Sequence, residues 1–101
     1  MKPEHDDDEK NEVDLFEVFP LISTADEAKN FLMDLCTPSE INAFVERWKV
    51  CQLLNRQTFS YRRIKDLTGA SLTTIGRVAR FLRNESYGGY DTMLKKIGER
   101  K

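Results

Sequence analysis

Histidine is almost missing from this chain, and with it most routes to catalysis. The one histidine, His5, lies in an acidic stretch, so no Ser/His/Asp set and no Cys/His pair can be assembled. No glycine run has the spacing of a phosphate cradle. Cysteine is scarce too: Cys36 and Cys51 are not spaced as a C-x-x-C redox or zinc pair and read as reduced thiols buried on helices. No apolar run approaches the about 20 residues that cross a bilayer, and no signal-peptide pattern precedes the acidic start. The expected protein is therefore cytoplasmic, makes no membrane contact and is not an enzyme. The run Asp6-Asp7-Asp8 lacks fixed geometry for a cation. No catalytic residue, metal or cofactor is expected.

What is present is helical periodicity, with 40% hydrophobic and 33% charged residues, which suits a soluble all-α domain. Residues 1–11 read as an acidic flexible arm, and 12–101 as one helical domain. Val13, Leu15, Phe16 and Phe19 form a short apolar segment that Pro20 should stop. Thr24-Ala-Asp-Glu27 and Thr37-Pro38-Ser-Glu40 are capping boxes, the second with proline at the first helical position. The first opens a helix with Ala28, Phe31, Leu32 and Leu35 on one face. The second opens a long helix to about Asn55, with Ile41, Phe44, Val45, Trp48, Cys51 and Leu54 as its apolar stripe. Ser86-Tyr-Gly-Gly89 reads as a loop, after which Asp91 should cap a last helix burying Leu94 and Ile97.

The most telling segment is residues 60–84, whose pattern is that of a helix-turn-helix. Ser60 can cap a helix over roughly 61–67. Ile64 and Leu67 share one face of it, and Gly69 can end it at positive φ. Ser71 caps a second helix with Leu72, Ile75, Val78, Ala79 and Leu82 on its buried side. In such a unit the second helix enters the DNA major groove. Charge agrees with that use. Residues 1–59 carry six Lys/Arg against thirteen Asp/Glu, a net −7, and residues 60–101 carry ten against four, a net +6. A basic half that coincides with the motif is what phosphate contact needs.

Readers of this kind bind two half-sites one helical turn apart, so a two-fold dimer is expected on a palindromic double-stranded operator. The short terminal helices are below the length at which isolated helices persist, and must dock on something. Phe16, Phe19, Phe31, Phe44 and Trp48 are candidates for a shared core. The competing class is a protein-interaction module that keeps the helix-turn-helix as a scaffold without specific DNA binding.

From about Thr24 to Lys101 the chain resembles a known family. Leu35-Cys-Thr-Pro-Ser-Glu40, Arg47 on the long helix, Ser60-Tyr-Arg-Arg-Ile-Lys65, Gly69-Ala70 and Thr74-Ile-x-Arg77 are similar to the bacterial tryptophan repressors. Tyr87-Gly-Gly-Tyr90 points to the related proteins of the YerC/YecD type. The resemblance implies a six-helix, intertwined dimer acting as a transcriptional regulator, in the repressor sense. It also implies that Arg62 and Lys65 contact phosphates, and that Leu72, Thr73 and Thr74 meet base edges. Ser71 and Arg77 belong to the same DNA-facing set, and Arg63 and Arg80 join it on charge alone.

For an effector, the resemblance places Arg47 and Arg77 on either side of an indole and Thr37 near its amino group. Val78 stands where the repressors have glycine beside the ligand, and Phe81 where they have a small serine. Those two side chains should fill the slot, because a buried aromatic ring of about 150–250 Å² can replace ligand packing. Asp34, where the family's pocket wall is apolar, points the same way. Tryptophan is therefore not expected to be the effector, and whether another small molecule serves is left open.

Overall fold

Helix caps organise this chain. A computed structural model describes residues 11–98, and the acidic arm before Asn11 lies outside them, as do His5 and the Asp6–Asp8 run. Among the described residues there are six α-helices, one 3₁₀ turn and no strand. No helix among them is long and apolar enough to cross a membrane. Residues group into two compact units that meet between Thr37 and Pro38.

The first unit holds α1 (Leu15–Val18), a 3₁₀ turn (Phe19–Leu21) and α2 (Ala25–Leu35). Asp14 caps α1 by accepting from the Phe16 N–H at 3.0 Å. The α-helix stops at Val18, ahead of Pro20 as its sequence suggested, and a 3₁₀ turn carries the chain past the proline. Pro20 sits in the first turn of the 3₁₀ helix, where its missing N–H would have no intrahelical partner anyway. Thr24 caps α2 by accepting from the Glu27 N–H at 3.1 Å. The return bond reaches one residue further than in a standard capping box: the Glu27 carboxylate accepts from the Ser23 N–H at 2.8 Å. Phe19 lies between Phe16 and Phe31, with ring centroids 6.3 and 6.0 Å away. No residue of these three elements is buried.

The second unit holds α3 (Pro38–Arg56), α4 (Tyr61–Thr68), α5 (Leu72–Arg83) and α6 (Gly89–Lys96). Helix α3 packs on α4 and α5, which pack on each other, and α6 packs on α5. The shared core is Val50, Cys51, Leu54, Ile64, Ala70, Ile75, Val78, Ala79 and Leu94. Only the C-terminal half of α3 is buried in it. Phe44 and Val45, read as part of one continuous stripe, are 45% and 49% exposed. The chain leaves α3 through Gln57, whose left-handed φ of 62° is unusual for a residue with a side chain.

Three other expected core positions face outward. Leu67 is exposed because Thr68 takes the inward side of α4: its hydroxyl donates to the Ile64 carbonyl at 2.8 Å and accepts from the Ala70 N–H at 3.1 Å. Leu72 is exposed because it opens α5 one turn ahead of Ile75, beyond the edge of the core. Ile97 is exposed because α6 ends at Lys96 and Ile97 only caps it. Helix α6 also starts earlier than expected. Gly88, at φ 69°, is its N-cap, so Asp91 lies inside the first turn and pairs with Lys95 at 2.9 Å.

Candidate nucleic-acid interface and adjoining cleft

Helices α4 and α5 and the turn between them form the helix-turn-helix. Ser60 caps α4, accepting from the Arg63 N–H at 3.0 Å. Gly69 ends α4 at φ 79°, and its N–H donates to the Lys65 carbonyl at 2.8 Å. That backbone conformation is costly for any residue with a Cβ, so glycine sets the turn. Ala70 is 1% exposed, which leaves room only for a small side chain between the helices. Ser71 then caps α5. Its hydroxyl accepts from the Thr74 N–H at 3.0 Å and donates to the Thr74 hydroxyl at 3.1 Å, so Ser71 is engaged within the chain.

Core packing of Ile64, Ile75, Val78 and Ala79 fixes which sides of the two helices stay outside. Arg62, Arg63 and Lys65 are exposed on α4, and Leu72, Thr73, Arg77 and Arg80 are exposed on α5. Thr74 is half-buried, with its hydroxyl proton left over after it accepts from Ser71. The Arg77 guanidinium lies 4.4 Å from the Phe81 ring centroid and that of Arg80 5.0 Å. Arg80 also pairs with Glu85 at 3.4 Å, an exposed contact that other anions can compete for. The result is a strongly cationic surface carrying hydroxyls and arginine forks. This chemistry suits phosphates and base edges.

Behind α5 lies an open cleft of about 450 Å³, lined by Trp48, Arg77, Phe81, Tyr87, Gly89, Tyr90 and Met93. Two stacked pairs shape it. Trp48 and Tyr90 have centroids 6.5 Å apart at 23°, and Phe81 and Tyr87 have centroids 6.2 Å apart at 11°. The Tyr90 hydroxyl is held above its ordinary pKa by burial and by Cys51, while Arg47 and Arg77 pull it the other way. Of the expected effector residues, Arg77 and Phe81 line this cleft. Val78 lies in the core at 1% exposure, Arg47 is half-buried near Tyr90, and Thr37 is exposed just ahead of α3. Sequence reasoning treated Tyr87, Gly89 and Tyr90 as a loop and family marker, and missed their place in the wall. The aromatic–glycine cluster at 87–90 was the available signal. Among the described residues no group of His, Cys, Asp or Glu could hold a metal ion.

These features define an all-helical helix-turn-helix protein with an exposed, basic second helix. The chain belongs to the Trp repressor protein family, whose model matches residues 11–97. It is 35% identical over 85 residues to the uncharacterized protein YerC of Bacillus subtilis strain 168, covering 84% of this chain and 80% of YerC. A crystal structure of a TrpR-like protein from Eubacterium eligens is 37% identical with a TM-score of 0.76, covering 83% of this chain and 84% of that one. A Staphylococcus aureus protein described as a candidate Trp repressor is 31% identical with a TM-score of 0.75, covering 82% and 81%. The family is one of regulators rather than enzymes, and membership points to a helix-turn-helix DNA-binding regulator.

Proposed function

We propose that the protein is a sequence-specific, DNA-binding transcriptional repressor that acts as a homodimer in the bacterial cytoplasm. The observation that carries this reading is the exposed second helix, where Thr73, Arg77 and Arg80 stand outward beside Arg62, Arg63 and Lys65 of α4. Helix α5 enters the major groove. Thr73 and Thr74 offer hydroxyls to base edges and methyls to thymine, and Arg77 reads guanine or a phosphate. Leu72, 54% exposed at the start of α5, suits an apolar contact in the groove. Arg62, Arg63, Lys65 and Arg80 hold the backbone, which sets register without reading sequence. Ser71 acts by holding the first turn of α5.

Two copies present their second helices to half-sites one turn apart, so the operator is a palindrome. Phe16, Phe19, Phe31, Phe44 and Trp48 supply apolar surface for the pairing. Phe16 at 74% and Phe44 at 45% exposure favour this, whereas Trp48 is stacked on Tyr90 within its own chain. Regulation does not depend on tryptophan. Phe81 puts an aromatic ring on the cleft wall where the resemblance has a small serine beside the ligand, and Val78 is turned into the core instead. Arg77 on that wall, with Arg47 near Tyr90, offers charge to another small molecule.

Selection of random duplexes at physiological salt, with and without L-tryptophan, tests this reading. Enrichment of one palindrome in both arms supports a tryptophan-independent regulator. Enrichment only with tryptophan overturns the effector argument. No enrichment, with no salt-dependent DNA affinity, favours the protein-interaction module. Within a selected site, Thr74→Ala should lower base preference, and Lys65→Ala should weaken all sequences alike and reduce the salt slope by about one.

A further inference from the structure

Gly76 stands in the middle of α5, the worst place in a regular helix for a residue without a side chain. Three ordinary reasons for a helical glycine are absent here. Its backbone is not left-handed, since the glycines at positive φ are 69, 88 and 98. It is not needed for helix packing, because a Cβ built there meets nothing within 4 Å. It does not interrupt the helix, which runs unbroken from Leu72 to Arg83. Gly76 is moreover exposed, three residues after Thr73 and four before Arg80, so the three form one row on the outward side of α5.

We infer that Gly76 is a clearance residue for DNA: it lets the α5 backbone come against the floor of the groove. This rests on the DNA-binding reading above. A side chain at 76 would stand between Thr73 and Arg80 and hold the helix away from the base edges that Thr73 and Thr74 reach. The chain therefore keeps a residue that weakens the free helix, and the compensation comes only when the groove is filled. Gly76 thereby contributes to specificity without contacting a base through any side chain. Glycine removes an obstacle at the depth where sequence is read, and leaves the more peripheral phosphate contacts of Arg62 and Lys65 untouched.

The test is Gly76→Ala and Gly76→Leu in the full-length protein, each measured for thermal unfolding, association state and affinity for a duplex selected by the unsubstituted protein. Both variants should unfold at higher temperature, by about 4–8 °C for alanine. Affinity for the selected duplex should move the other way: down about tenfold for alanine, the scale of one lost base contact, and further for leucine. Affinity for random duplex and dimer content should be unchanged. If the selected duplex is bound as tightly by the leucine variant as by the parent, the inference is wrong while the DNA-binding reading stands. Loss of the dimer in the leucine variant would also overturn it, by assigning the close approach to a second copy. If the parent selects no duplex, the DNA-binding reading fails and the inference falls with it.

Discussion

Helices α2 and α5 begin alike and end up in very different surroundings. Thr24 and Ser71 each accept a hydrogen bond from the N–H three residues on, at 3.1 and 3.0 Å. Both helices carry apolar residues at three- and four-residue steps. Yet α5 buries Ile75, Val78 and Ala79, while α2 buries nothing and leaves Met33 and Leu35 about half exposed. A cap and a periodic stripe decide that a segment is helical. They do not decide what the stripe meets. The helix-turn-helix unit closes its own core within the chain, whereas the first unit presents Phe16, Leu21 and Met33 outward.

The largest effect should come from Ile75→Ala, which empties a fully buried position. About 2–5 kcal/mol of unfolding free energy should be lost, at any protein concentration, in denaturant titration. Phe16→Ala should instead weaken self-association in sedimentation equilibrium. A concentration-independent loss as large as that of Ile75→Ala would show that Phe16 belongs to the core of its own chain.

The next effect concerns pH. Burial pushes the Cys51 thiol up to about 12 from an ordinary value of 9.0. An unfolded chain therefore releases this proton near pH 9 while the folded one holds it. The contribution is complete below pH 9 and is lost as pH rises toward 12, on the order of 2 kcal/mol by pH 11. The unfolding midpoint should fall over that window, less steeply in Cys51→Ala. At pH 8 a thiol reagent should label half-buried Cys36 and leave Cys51 intact.

Smaller effects separate the two caps. Ser71→Ala should cost about 1 kcal/mol in global unfolding, because α5 is part of the core. Thr24→Ala should speed amide exchange over residues 25–35 with little change in the global midpoint. Equal shifts would mean that both helices unfold as one cooperative piece. Least of all, Asp91→Asn removes an exposed pair with Lys95 and should cost no more than about 0.5 kcal/mol.

The fold was readable wherever one residue type does one local job. Thr24, Pro38, Ser60, Gly69 and Ser71 marked helix ends, because caps and left-handed turns depend on neighbours a few residues away. Burial was harder to read. Leu67, Leu72 and Ile97 fit the stripes and face outward, since a stripe's width depends on what packs against it and where the neighbouring helix ends. Val50 is fully buried, yet it fell outside the expected stripe of α3 because that helix is gripped only at its C-terminal half, by α4 and α5. In the candidate site, the exposed row on α5 followed from its buried side. The cleft did not, because its wall joins Trp48 to Tyr87 and Tyr90 across about 40 residues of chain, a proximity that no local pattern encodes.

Trp48 is the chain's one tryptophan, and it lies against Tyr90 on the wall of that cleft. The protein thus carries its own fluorophore at the spot where α3 meets the final helix. Emission collected above the tyrosine range comes from that indole alone. A molecule entering the cleft, or a tilt of α6 that separates the two rings, would alter its brightness and colour without any label. A screen of small metabolites against the intact protein therefore needs only a fluorimeter.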